Sequence, residues 1–579
     1  MNSSFPPAFS LVASLIDGFD EKWGLWRLGR PGHTRPVAHL ADAHSGVLTA
    51  ARLMRAAQLG VLDSLPVSRI LWALKELQCT DGSRLHGCFK WHAEEPSPVD
   101  TNAAFFTGLN LVLLADRYEA AFSDADRETL CVMLSDLFVW FDRVSQSDDA
   151  HYPNKFLGDL VCAWLLRERL DLVGEAGRLI GIMDRAADYW LEKHWGWGEH
   201  LSDVYTAVML NELSALLLFA RQLPEVLRQK YQRLFSALLD IEDAYGGGVR
   251  VPVIRTYAFG ERPGLRSFRS TVGSWIEQPA LAGRVGAVEH FNFGHLFHEK
   301  GWLDLAGPEG PVREHIEIDC FGGSKAKAWV TPAMRLGTLS RFPIMPRTDH
   351  ATWGLSWQTM PVAFATGKEG WGFLRWHTRE GGVDRYHPAK DKRSAYLNNA
   401  LTDVVSPPIV GLTEALQDGA HACVLRRMPA LSRSWDFLSD QCVLTGSGIV
   451  VVREKTAADA CRLLLEIDGV PLTVIFFPLG AGVRPRLRRD GGELVWEATW
   501  PAELLKKRER IAGVWMIVCG KETPCPPAPV ESSGGSEIGR GVHLEGDKAW
   551  LLSWPVAKGP VGVILDPLDM TPLRRSDLT

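Results

Sequence analysis

From about residue 40 to residue 243 the apolar residues recur at helical spacing, in segments near twenty residues long separated by short polar or Pro/Gly breaks. Each such segment must bury an apolar stripe against a neighbour, so the stretch predicts helix after helix. The expected helices lie near 40–60, 66–78, 99–118, 124–145, 154–169, 175–194, 200–221 and 224–243, with another near 283–300. Pro66 before SRILWALKEL, Ser123-Asp124 before ADRETLCVML and Pro224 before EVLRQKYQRLF supply start signals. Helical hairpins in series build a bundle, a solenoid or a closed α/α toroid, and the lack of a fixed-period repeat counts against the solenoid.

Past about residue 312 the texture changes to short β-rich runs bounded by Gly, Pro and Asp, among them HIEIDCF, AKAWVTP, GIVVVRE, CRLLLEID, PLTVIFFPL, ELVWEATW, GVWMIVCG, KAWLLSWP and VGVILD. These read as antiparallel strands of a sandwich. At 579 residues the chain exceeds what one hydrophobic core serves. The expected fold class is therefore α+β and multidomain: a helical toroid or incomplete barrel over 1–311, then an antiparallel β-sandwich over 312–579. The irregular, arginine-rich stretch 246–275 is expected over the open end of the helical domain. KETPCPPAPVESSGGSEIGRG, near 521–541, reads as an exposed loop of the β domain.

Hydrophobic residues at 46% and charged residues at 23% exclude a disordered or disulfide-dense chain. A net charge of −6 gives no global attraction to nucleic acid or anionic lipid, so neither is expected as a partner, and a homo-oligomer is allowed. The ten cysteines include no C-x-x-C pair and sit mostly in apolar runs, which reads as buried thiols. No apolar run reaches the length of a membrane span, and the N-terminus lacks a basic segment before its short apolar stretch, so the expected location is cytoplasmic. Neither a dinucleotide fingerprint, a Walker loop, a G-x-S-x-G elbow nor H-E-x-x-H occurs, and no cofactor is expected.

The densest polar cluster is WLEKHWGWGEHLSDVYTAVMLNEL, which carries Trp195, Trp197, Glu199, His200, Asp203 and Tyr205 at a helix start. A helix beginning at Glu199 would put Glu199 and Asp203 on one face, although Ser202 or Asp203 can equally serve as a cap. Arg250, Arg255, Arg262, Arg266 and Arg269, interleaved with Tyr257, offer guanidinium forks to an acidic ligand. His290, His295 and His298 follow; no carboxylate or Cys at a familiar spacing completes a metal set, and none is assigned. His350 precedes Trp353 and Trp357, a combination suited to a cleft wall. Asp100 and Asn102 stand at a helix start, where capping alone accounts for them, and His151, Tyr152 and Asn154 stand at the next comparable end.

The order of parts, an all-α half and then a β-rich half with HATWGLSWQ early in it, resembles two-domain polysaccharide lyases of the heparinase II/III and chondroitin-lyase type. The resemblance covers most of the chain. It implies an (α/α) toroid joined to a β-sandwich, and cleavage of uronate-containing glycans at the domain junction. It further implies a Tyr and a His, or an Asn and a His, from the toroid acting with a His from the β domain. The nearest positions are His200, Tyr205 or Tyr257, and His350. No Asn–His pair is found, so the group that neutralises the substrate carboxylate is unassigned.

Such chemistry is β-elimination: Arg or Asn groups polarise the C5 carboxylate while Tyr or His moves the protons. Expected substrate contacts are Asp100, Asn102, Trp195, Trp197, Arg250, Arg255, His290, His295, Trp353 and Trp357, and the expected ligand is an acidic oligosaccharide or polysaccharide. Two alternatives stand beside it. A uronate-specific hydrolase of β-glucuronidase type would use Glu199, Asp203 and Asp100 as paired carboxylates, and a non-catalytic glycan-binding protein would need only tryptophans and a sandwich.

Overall fold

A computed structural model of the chain describes residues 15–565 except 30–31, 33, 38, 148, 193–194, 197, 203, 247–249, 255–267, 278–292, 308–312, 321–323, 341–361, 367–369, 381–382, 385–411, 429–436, 457–460, 479–482, 491–492, 502, 504–510, 521–529, 532–540, 546–548 and 557–558. The chain divides into two compact units, Met1–Asp243 with Leu265–Glu309, and Ala244–Gly264 with Gly310–Thr579. The stretch expected over the helical domain is thus shared: Ala244–Gly264 groups with the second unit and Leu265–Glu309 with the first.

The first unit opens with a small sheet, β1 (Phe19–Asp20), β2 (Leu25–Arg27) and β3 (His44–Ser45). Helices α1 (Gly46–Gln58), α2 (Val67–Leu77), α3 (Ala103–Tyr118), α4 (Asp124–Val144), α5 (Pro153–Arg169), α6 (Gly177–Leu191), α7 (Tyr205–Phe219), α8 (Glu225–Ala244), α9 (Phe268–Glu277) and α10 (Gly294–Glu299) follow. Ser45 caps α1 and Ser123 caps α4, each hydroxyl accepting a backbone N–H three residues on.

Alternate helices behave differently, and composition explains why. The segment YTAVMLNELSALLLF of α7 is apolar on nearly every side and almost wholly buried, and α1, α3 and α5 are also mostly buried. By contrast α2 and α8 bury a single stripe, such as Ile70, Leu71, Leu74 and Leu77 of α2. The mostly buried helices pack in series, α1 on α3, α3 on α5 and α5 on α7, and α7 packs on α9 and α10. The series returns to its start through Arg55 of α1, which donates to the Trp275 carbonyl of α9 at 3.0 Å with its guanidinium 4.3 Å from the indole centroid.

Two helices depart from expectation. The segment near 283–300 yields only the six-residue α10 among the described residues, while α9 arises inside the stretch read as irregular. The start of α9 is tied to a distant residue: the Glu242 carboxylate accepts from Phe268 N at 2.9 Å and Arg269 N at 3.1 Å, satisfying two of the helix's end groups. The thiols are also less uniform than expected, since Cys131 is exposed and Cys79 half-buried.

Ahead of α3, the turn 91–95 pairs with the entry to α1. Glu95 is buried there, accepting from Trp91 N at 3.0 Å and from the Thr34 hydroxyl. Burial pushes its carboxyl up to about 7, with Asp100 a minor contributor in the same direction. A raised folded-state pKa means that the contribution is complete below the ordinary carboxylate range and is lost as pH rises through about 7. Urea unfolding should show about 3 kcal/mol less stability above that range than below it from this group, and Glu95→Gln should flatten the difference.

The second unit holds two large antiparallel sheets. The nine-stranded sheet comprises β4 (His315–Asp319), β5 (Lys325–Val330), β6 (Met334–Leu339), β7 (Val362–Thr366), β8 (Trp371–Glu380), β9 (Val383–Asp384), β12 (Phe437–Ser447), β16 (Arg486–Asp490) and β17 (Glu493–Pro501), with the path β16-β17-β12-β8-β7-β6-β5-β4 and β9 beside β8. The six-stranded sheet comprises β10 (Leu412–Asp418), β11 (His421–Met428), β13 (Ile449–Thr456), β14 (Cys461–Ile467), β15 (Val470–Pro478) and β18 (Ile511–Cys519), in the order β10-β11-β18-β15-β14-β13. β19 (Val530–Glu531), β20 (Gly541–Glu545), β21 (Ala549–Val556) and β22 (Gly559–Leu565) form a further sheet. Alternate residues of the two large sheets share one buried core, where Trp496 of β17 meets Trp515 of β18 edge to face at 5.6 Å. Every strand run quoted from the sequence falls on one of these strands. Val251–Ile254 is buried in this unit; a Cβ on Gly337 of β6 would collide with the Val251 backbone, so glycine permits that approach.

Candidate functional site

Three helix starts of the first unit meet at one end. Asn102 precedes α3, and its backbone N–H donates to Asp100 Oδ1 at 3.0 Å, which sets the turn. The Asn102 side chain makes no capping bond; its amide instead donates to the Tyr152 phenolic oxygen at 2.9 Å. Capping alone therefore does not account for Asn102. Tyr152 leads into Pro153, the first residue of α5, where the missing N–H costs nothing.

Asn154, one residue further, donates twice to Glu199: backbone N to Oε2 at 2.9 Å and Nδ2 to Oε1 at 2.5 Å. The Glu199 carboxylate, fully buried, thereby sits at the positive end of α5. Its neighbour His200 is also fully buried, with its ring stacked on Trp195 at 5.6 Å and 21°. Ahead of α7 the Ser202 hydroxyl accepts from Val204 N and Tyr205 N, and Tyr205 is the first helical residue. A helix starting at Glu199 was expected to align Glu199 with Asp203. The chain instead makes a 3-10 turn over Glu199–Leu201 and begins α7 at Tyr205, so no α-helix starts at Glu199; Asp203 lies outside the described residues.

The turn is possible because of Gly196 and Gly198, both in the left-handed region, at φ +53 and +78. A Cβ on Gly196 would also fall inside the contact radius of the His151 carbonyl oxygen. Gly196→Ala should therefore cost about 3 kcal/mol or more in denaturant unfolding, whereas Gly181→Ala, in the open on α6, should cost nothing.

Below this end lie two further buried carboxyls that the sequence reading did not single out. Glu212, midway along α7, has neither oxygen hydrogen-bonded among the described residues. Burial first, then the charges of Glu199 and Asp159, raise its pKa well above the ordinary carboxylate value. Asp159 is raised by burial too, opposed by Lys155, whose ammonium it accepts at 2.5 Å. Gly158 lets these groups gather: a Cβ there would stand 2.6 Å from the Phe105 ring and 2.8 Å from Glu212 Oε1. Glu212 and Asn211 line a small cavity with Phe105, Asn110 and Phe293, and Phe293 N donates to Asn211 Oδ1 at 3.2 Å. A charged residue inside a helix apolar on nearly every side was the available signal for Glu212.

The other candidates are placed as follows. His295, on α10, stacks on Trp275 at 6.4 Å and so belongs with the Arg55 contact. Arg250 is buried in the second unit. Arg269 is committed to a two-pronged ion pair with Asp243, at 2.9 and 2.7 Å, which makes it a structural arginine. Asp203, Tyr257, His350, Trp197, Arg255, His290, Trp353 and Trp357 lie outside the described residues. Among the described residues no three His, Cys, Asp or Glu side chains are placed to hold a metal ion, and no helix is long and apolar enough to cross a membrane.

No protein-family model matches the chain, and no curated protein matches it in sequence. Solved structures do. One titled a crystal structure of heparinase III shares 11% identity at a TM-score of 0.47, over 89% of this chain and 83% of that one. The chain resembles heparinase III. A heparan sulfate lyase mutant from Pedobacter heparinus shares 13% identity at a TM-score of 0.34, over 91% and 82% of the two chains. A second heparinase III, with methylated lysines, shares 9% identity at a TM-score of 0.41, over 90% and 83%.

Proposed function

We propose that the chain is a carbohydrate-active enzyme that cleaves acidic, uronate-containing oligosaccharides or polysaccharides by β-elimination. The observation that carries this reading is the Asn102–Tyr152 hydrogen bond at the meeting of three helix starts, beside Tyr205 and the His200–Trp195 stack. An amide N–H aimed at a phenolic oxygen stabilises negative charge there, which suits that oxygen to receiving a proton. In the proposed step Tyr152 acts as the phenolate, its own proton having first gone to solvent: its oxygen takes the C5 proton, the C5–H electron pair forms the C4=C5 double bond, and the C4–O bond breaks with its electrons on the leaving oxygen. A proton from Tyr152 or from a histidine, His200 or His350, then neutralises that oxygen.

The series α1, α3, α5, α7 and α9 returning to α1 supports the α/α toroid of this reading, and the shared core of the two large sheets supports the β-sandwich. Paired-carboxylate hydrolysis draws less support, because both Glu199 oxygens are already occupied by Asn154. The test is incubation with a panel of uronate-containing glycans, following the ultraviolet absorbance of the unsaturated product alongside reducing ends. Both signals rising together is the expected result. Reducing ends alone would replace elimination by hydrolysis, and silence in both channels across the panel would reject the enzymatic reading.

A further inference from the structure

The ends of α3, α5 and α7 remote from Asn102 and Tyr152 enclose a second cavity, of about 180 Å³. Asp116, in its wall, is fourteen residues beyond Asn102, about 20 Å away along the helix axis at 1.5 Å per residue. We propose that this cavity is a second carbohydrate site, taking a single neutral, hydroxyl-rich sugar ring. The inference does not depend on the reaction proposed above.

Three observations support it. First, at about 180 Å³ the cavity has room for one ring-sized solute. Second, the walls pair an apolar side, Leu165 and Phe219, with planar polar side chains: Arg221 donates, Asp116 accepts and Gln222 does both; this is the combination that suits the C–H face and the hydroxyl rim of a pyranose. Asp116 Oδ1 accepts from Arg221, and the Asp116 side chain stays part-exposed at the cavity, so Oδ1 has capacity left to accept from a ligand hydroxyl. Third, the cavity is built rather than incidental. Glu168 accepts from Arg221 N and Gln222 N at 2.8 Å each and from the Trp164 indole at 2.6 Å, fixing the backbone that carries the rim side chains.

Charge decides the class of sugar. Asp116 and Glu168 are balanced by Arg169 and Arg221, so the lining has no net charge and favours a neutral polyol over a uronate or an amino sugar.

The experiment is ligand-observed NMR on the full chain with galactose, N-acetylglucosamine, glucuronate and glucosamine as probes. A neutral probe should bind, weaken about tenfold in Arg221→Ala and in Asp116→Asn, and be unaffected by Tyr152→Phe. Gln222→Ala, at an exposed rim position, provides a variant whose folding is not at risk, and it should also weaken binding. Preference for glucuronate or glucosamine, binding untouched by all three rim variants, or no binding of either neutral probe would each overturn the proposal. Glycan turnover is a separate readout, so its failure and the failure of this site are distinguishable.

Discussion

Tyr152→Phe should leave the fold intact and reduce formation of unsaturated product by about 10³-fold, within the range that a positioned proton-transfer group contributes. The substitution removes one oxygen and the hydrogen bond from Asn102, and leaves the ring where it packs. Asn102→Ala should lower turnover by a smaller factor with little change in KM, since that amide acts through Tyr152. The check is initial rates on the most active glycan of the panel, with thermal unfolding of each variant. Full activity in Tyr152→Phe would sink the role given to it and return the proton transfer to Tyr205, His200, Tyr257 or His350.

The second large effect concerns Glu199. If its carboxylate is the acceptor that completes the start of α5, Glu199→Gln turns one accepting oxygen into a donor facing the Asn154 donors. A loss of about 2–3 kcal/mol in urea unfolding is expected, with turnover of the folded fraction within about tenfold of the parent. The same change removes a charge that helps raise the Glu212 pKa, so Glu212 should titrate at a lower pH in the variant. The opposite pattern, unchanged stability with a loss of about 10³-fold, would make Glu199 a catalytic carboxylate and favour hydrolysis.

Helical periodicity and strand composition made most elements legible, because α7 and β15 each carry their burial pattern in their own residues. What was hidden depends on partners far along the chain. The start of α9 relies on Glu242, 26 residues earlier, and the Asn102 side chain bonds to a tyrosine 50 residues later. A local reading can see that Asn102 stands at a helix start, yet not whether its amide turns back to cap or reaches across. The sequence marks Glu199 as a carboxylate suited to acid–base work. Its two bonds to Asn154 are long-range facts that alter what it can do.

The passage of Ala244–Gly264 into the second unit and the return of Leu265–Glu309 to the first mean that the polypeptide crosses between the units three times. Neither unit is a contiguous module that a single cut could release. Truncation after residue 311 would strip Val251–Ile254 of the sheet against which it is buried, and expression from residue 312 would leave Gly337 facing an empty groove. For this architecture, separable function must be sought by point substitution, and shuffling of whole halves between related chains would have to carry the short excursion along with the sheets.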